Sequence, residues 1–133
     1  MTHGVSHKVK RTESALQAAI CRYLDRALPL ASWYCAIPNG SVLAGTAEQR
    51  ARQMARLKAT GLKPGAPDIA MCWNGRFIGM EVKTDTGQLS DKQKDTSDAI
   101  TLAGGLWTVV RSVEDVQSFL DMIGVPLRAR VML

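Results

Sequence analysis

With 133 residues, 46% of them hydrophobic and 22% charged, the chain has the make-up of one globular domain that buries roughly two-thirds of its extended surface. No apolar run approaches the ~20 residues of a membrane span, and Met1-Thr2-His3-Gly4 opens without an apolar signal region, so the expectation is an intracellular, cytoplasmic protein with no membrane partner. The net charge of +5 is unevenly spread: residues 1–63 carry ten Lys or Arg against three Asp or Glu, and residues 64–133 carry seven against nine.

That polarity suits a polyanion laid across the N-terminal half, although solvated helix faces would leave the same trace. Three cysteines, Cys21, Cys35 and Cys72, are odd in number and show no paired metal-ligand spacing. They read as buried or partly buried thiols of a reducing compartment. Residues 1–11 form a basic flexible tail in which His3 and His7 carry no pattern, and residues 12–133 read as one domain.

From Thr12 or Ser14, either able to cap a helix, the apolar residues Leu16, Ala19, Ile20, Tyr23, Leu24 and Ala27 recur at helical spacing until Pro29. Glu13 falls on the same inward stripe. An acid in a first turn is favoured by the helix dipole, and it can equally serve as a carboxylate of a site. Trp33 to Ile37 forms a short strand closed by Pro38-Asn39-Gly40. A flexible stretch from Ser41 to Gly45 then leads to a helix begun by Thr46 and Gln49 at capping-box spacing. Ala47, Ala51, Met54, Ala55 and Leu57 give this helix a thin apolar stripe, while Arg50, Arg52, Arg56 and Lys58 dress the rest and Gly61 fits the C′ position. It is either a grip for phosphates or a peripheral solvated helix.

The centre of the chain is the most informative part. Ile69 to Trp73 is strand-like, Asn74-Gly75 signals a type I′ turn, and Arg76 to Val82 reads as the return strand. In that register Trp73 faces Arg76 and Asp68 falls opposite Glu81. Opposed side chains have Cβ atoms roughly 4.5–5.5 Å apart, where like charges destabilise a bare sheet. A hard divalent cation, taking carboxylate oxygens at about 2.1 Å, removes the conflict. Lys83 projects from the same face. Two acids in need of a cation with an amine beside them point to phosphodiester cleavage; the plainer reading is a cross-strand cluster in which Lys83 neutralises one acid. Ala70 and Gly79 oppose each other next to the acids, and a glycine inside a strand often marks close approach by a ligand or another backbone. Ile69, Met71, Ile78, Met80 and Val82 form the apolar layer of the other face. The turn-rich lead-in Gly61 to Pro67 fixes where Asp68 enters the strand.

After a loop over Thr84 to Gln88, Ser90 and Gln93 make another capping box, and the helix runs to Gly104-Gly105. Gln93 shares a stripe with Thr96, Ile100 and Ala103, so it points inward, either to complete the cap or to reach the site. Asp91, Asp95 and Asp98 form a solvated face. Leu106 to Val110 reads as a buried strand containing Trp107. Ser112 caps a last helix with Val116, Phe119 and Leu120, ending near Gly124-Val125-Pro126. The tail to Leu133 either adds an edge strand or makes a subunit contact.

The element order αβ(α)ββαβα, with Pro67-Asp68 and Glu81-Val82-Lys83, resembles the restriction-endonuclease-like PD-(D/E)XK superfamily. More narrowly, several segments resemble the stand-alone VRR-NUC nucleases of phages and bacteria: Ile37-Pro38-Asn39-Gly40, Gly61 through Asp68, Gly79 through Lys83, and Gly87-Gln88-Leu89-Ser90 with Gln93. With Glu13 they cover roughly residues 12–111. Ser41 to Ala44 departs from the pattern by lacking a basic residue. The resemblance implies an α/β fold with a small mixed sheet flanked by helices. It further implies a Mg²⁺- or Mn²⁺-dependent DNA endonuclease without organic cofactor, homodimeric, and acting on branched DNA such as four-way (Holliday) junctions. In that reading Asp68, Glu81, the Val82 carbonyl and Glu13 hold the metal. Lys83 and Gln93 complete the catalytic set, and Asn39, Arg50, Arg52, Arg56, Lys58 and Lys63 contact the nucleic acid. A non-cleaving DNA-binding module and a sequence-specific restriction-type endonuclease are the alternatives.

Overall fold

The computed structural model describes residues 12–38 and 43–132; the basic tail and Asn39 lie outside the described residues. The elements are α1 (Glu13–Ala27), β1 (Ser32–Ala36), α2 (Ala47–Ala59), β2 (Ile69–Trp73), β3 (Arg76–Val82), α3 (Asp91–Leu102), β4 (Leu106–Val110) and α4 (Val113–Ile123). Their order is the expected one. Each helix starts on a hydroxyl that accepts a first-turn N–H. Thr12 and Ser112 do so for α1 and α4, and full capping boxes open α2 and α3. Such caps stabilise by about 1 kcal/mol each.

The four strands lie in the order β1-β2-β3-β4. The first three are antiparallel, and β4 joins β3 in parallel after the α3 crossover. The Asn74-Gly75 loop has the two positive φ values (53° and 71°) of a type I′ turn. The resulting register is the expected one, from Trp73 opposite Arg76 to Ile69 opposite Met80.

That register separates two faces. Ile69, Met71, Ile78, Met80, Val82 and Val110 are buried in one core with Leu16, Ile20, Tyr23, Leu24 and Ala27 of α1 and Val116 and Leu120 of α4. Each such side chain contributes about 1.5–3 kcal/mol of burial, so this face sets the rigidity of the hairpin. The segment after α4 neither adds a strand nor leaves the core. Val131 N–H donates to Gln117 Oε1 at 2.7 Å, Tyr23 OH donates to the Ala129 carbonyl at 3.1 Å, and Arg128 N–H donates to the Ala27 carbonyl at 2.8 Å.

Two other expectations need correction. As an edge strand, β4 is mostly half-buried, with only Val110 fully enclosed. Cys72 is exposed because its side of β2 faces away from the core, whereas Cys21 and Cys35 are half-buried. Trp33 is 61% exposed and Phe77 40%, on the same outer face. The helix α2 buries none of its residues, as its thin apolar stripe implied. None of the described helices is long and apolar enough to cross a membrane.

Candidate active site

The outer face of the hairpin carries the two acids. Ladder pairing runs as far as Ile69 and Met80, and beyond it Asp68 Oδ2 accepts a hydrogen bond from the Val82 amide at 2.8 Å. On the other side of β2, the Ile37 amide donates to the Asp68 carbonyl at 2.8 Å. The backbone of Asp68 is thus held by β1 and its side chain by β3. The N–H and C=O of a strand residue leave on the same side, so the Val82 carbonyl also faces the edge where Asp68 sits.

Pro67 is fixed by a packing device. A Cβ on Gly79 would lie 3.0 Å from Pro67 Cγ and 3.2 Å from Trp107 Cδ1. The room beside this glycine is therefore filled by the proline ring and the indole. The expectation that a ligand approaches there is replaced by a structural role, that of locking the residue before Asp68.

Glu81 is 3% exposed. Its Oε1 accepts from Gln93 Nε2 at 2.7 Å and lies 3.8 Å from Lys83 Nζ, while its buried Oε2 receives no hydrogen bond among the described residues. Burial, then the charge of the neighbouring Asp68 carboxylate and a hydrogen bond shared with it, push the Glu81 carboxyl up to about 8; Lys83 opposes the rise and Glu13 adds to it. Without a further cation this acid stays largely protonated at neutral pH. A buried carboxylate oxygen left unpaired beside a second carboxylate is a donor set suited to a hard divalent ion. Among the described residues no three His, Cys, Asp or Glu side chains converge to hold a metal. The set is two carboxylates with the Val82 carbonyl, and that spare arrangement fits Mg²⁺, which keeps waters and takes substrate oxygens for the rest.

Gln93 reaches Glu81 by a specific route. Its Oε1 accepts from the Ser90 amide at 2.9 Å in the capping box, which leaves the amide nitrogen facing Glu81. The cap and the site contact, alternatives in the sequence, are made together. The helix is seated by Gly65, whose φ is +86° and where a Cβ would lie 2.4 Å from the Lys92 carbonyl carbon.

Glu13, in the first turn of α1, is exposed at the rim rather than turned into the core. It lines, with Asp68, Gln17, Cys21, Ile37 and Pro38, a cleft of about 600 Å³ to which no Lys or Arg among the described residues contributes. Burial and the charge of Asp25 raise the Cys21 thiol above its ordinary value, which leaves it a poor nucleophile. Arg50, Arg52, Arg56, Lys58 and Lys63 are exposed on and after α2. Sequence reasoning missed Arg111, which stands immediately after β4. Its signal was available: neighbouring parallel strands end at the same edge, so a residue following β4 lies level with the end of β3 and hence with Lys83.

A solved structure described as "VRR_NUC domain protein" superposes with a TM-score of 0.66, at 17% identity, over 84% of this chain and 87% of that one. No family model matches the chain, and no curated protein matches it. The chain therefore has the restriction-endonuclease-like fold of that VRR_NUC domain protein.

Proposed function

We propose that the chain is a Mg²⁺- or Mn²⁺-dependent DNA endonuclease of the VRR-NUC type that hydrolyses phosphodiester bonds. The observation that carries this reading is the buried Glu81 carboxyl set against that of Asp68, its Oε2 receiving no hydrogen bond among the described residues. Asp68, Glu81 and the Val82 carbonyl would hold the cation, with Glu13 adding charge from the rim. When bound, such an ion supplies positive charge against phosphoryl oxygens and lowers the pKa of a water. Gln93 fixes Glu81 through Oε1 and leaves Oε2 free for this purpose. Lys83, held 3.8 Å from Glu81, orients the attacking water and offsets charge that develops on the phosphate.

The finer substrate reading is branched DNA, including four-way junctions, cut by a homodimer. Trp33 and Phe77, exposed on the outer face beside the edge strand β1, give a second copy apolar surface to cover. Two sites related by a dyad would meet two strands of a junction.

Purified protein incubated with junction, flap, linear duplex and single-stranded DNA, in Mg²⁺ or EDTA, tests the proposal. The expected result is metal-dependent nicking strongest on branched substrates. In Lys83→Ala, cleavage should fall about 10²–10⁴-fold while calorimetric Mg²⁺ binding persists. Binding without nicking in any metal would establish a non-cleaving module instead, and discrete cuts in linear duplex a restriction-type enzyme.

A further inference from the structure

Lys83 is the last residue to share the sheet at this edge, its amide donating to the Val110 carbonyl at 3.1 Å. Immediately after it the chain turns, with the Gly87 amide bonded to the Thr84 carbonyl at 3.1 Å. One nitrogen of Arg111, Nη1, donates to both ends of that turn: 2.6 Å to the Thr84 carbonyl and 3.0 Å to the Gly87 carbonyl. Arg111 is itself anchored, since its amide donates to Asp115 Oδ2 at 2.8 Å and the Asp115 amide to Ser112 Oγ at 3.0 Å in the first turn of α4.

The clamped turn touches the candidate site. A Cβ on Gly87 would stand 3.1 Å from Lys83 Cδ, 3.3 Å from Lys83 Cβ and 3.5 Å from Glu13 Oε1. Gly87 therefore forms a wall along the lysine stem, on the side towards α1. Behind the turn lies a cavity of about 240 Å³ lined by Leu16, Thr84, Asp85, Thr86, Arg111 and Ser112. The turn borders that space, and the guanidinium ties its two ends together across it. A lysine stem has four rotatable bonds and loses up to about 2 kcal/mol of rotamer freedom when held, so an unwalled Lys83 would spend much of its time away from Glu81.

We propose that Arg111 is a positioning residue for Lys83: it holds the Thr84–Gly87 turn closed, so that Gly87 confines the lysine stem and keeps the ammonium beside Glu81. The inference rests on the nuclease reading only in what it says about cleavage; the placement of the lysine is tested without it.

The test uses the full chain with Arg111→Ala, Arg111→Lys and Gly87→Ala. In metal-free protein the ¹H–¹³C signal of the Lys83 ε-carbon, identified by its loss in Lys83→Arg, should stand apart from those of the exposed lysines. It should move towards them in Arg111→Ala, stay partway in Arg111→Lys, which retains one donor nitrogen, and shift in Gly87→Ala, which fills the wall. Against branched DNA in Mg²⁺, Arg111→Ala should lower kcat about 10–100-fold with KM within about twofold. In a Lys83→Ala background it should lower it no further, because both changes remove one function. An unmoved Lys83 signal in a folded Arg111→Ala or Gly87→Ala protein overturns the proposal. So does an equal loss of kcat from Arg111→Ala with and without Lys83. Normal cleavage by Lys83→Ala instead overturns the nuclease role of Lys83, and the spectroscopic arm then decides Arg111 alone. Should Arg111→Ala fail to fold, Arg111→Lys, which keeps the stem and one donor nitrogen, supplies the same two readouts.

Discussion

At Glu81, one carboxyl group has its two oxygens in opposite circumstances: Oε1 is engaged by Gln93 and Lys83, and Oε2 is buried and receives no hydrogen bond among the described residues. The consequence for stability follows from the direction of its pKa, about 8 in the fold against an ordinary value of 4.5. Below about pH 4.5 folded and unfolded chains are both protonated here, so the group adds no pH dependence. Between about 4.5 and 8 the folded chain keeps a proton that the unfolded chain has lost, and stability falls as pH rises. Above about 8 both are ionised and the loss is complete. Urea unfolding of metal-free protein should therefore show the midpoint declining from pH 5 to pH 8.5. Glu81→Gln should flatten that decline, and excess Mg²⁺, which favours the ionised form, should offset it most at the alkaline end. A decline identical in Glu81→Gln would assign the pH dependence to other groups. That Asp68 and Glu81 would be neighbours was legible from Asn74-Gly75 and strand alternation alone. Which oxygen would be left unpaired was not, because that depends on how α3 docks.

The docking of α3 is set at its first turn. Its apolar stripe is weak and it buries no residue completely, so hydrophobic burial alone does not dictate its position. Two backbone-level contacts do: the capping box that aims the Gln93 amide, and Gly65 pressed against Lys92 and Gln93. The second contact was hidden from the sequence, where Gly65 reads only as part of a turn-rich lead-in; a glycine's missing side chain announces room without saying what occupies it. Gly79 illustrates the same limit, since its neighbours proved to be Pro67 and Trp107. Gly65→Ala adds a methyl into the Lys92 backbone at a residue that also needs positive φ. It should destabilise the fold by about 2–4 kcal/mol, combining overpacking and backbone strain. By pushing the first turn of α3 outward it should also detach Gln93 from Glu81. Denaturant midpoints and calorimetric Mg²⁺ titration of the same sample measure both effects. A destabilised protein whose Mg²⁺ affinity is unchanged would show that the lead-in supports the fold without positioning the site.

Across the whole molecule, the division of charge matches a division of labour. The sheet with α1 and α4 forms the buried core, into which the C-terminal segment is tied through Tyr23 and Gln117. That tie was unreadable beforehand, because the partners of Gln117 are 14 and 94 residues away. By contrast α2 has no buried residue and displays Arg50, Arg52, Arg56 and Lys58 to solvent. Its sequence gave both readings, phosphate grip or solvated helix, because exposure is common to the two. Salt dependence separates them. Each phosphate contact to duplex DNA releases counterions and adds about 0.9 to the slope of log affinity against log salt concentration. Replacing all four residues with Gln should leave the melting temperature nearly unchanged, because none of the side chains supports the core. If α2 grips the backbone, the variant should bind junction and duplex DNA more weakly by a similar factor whatever their sequence. Its salt slope should then fall by up to about 3–4. If the four charges only keep the helix hydrated, affinity and slope both stay where they were, and the polyanion must be held by other surfaces.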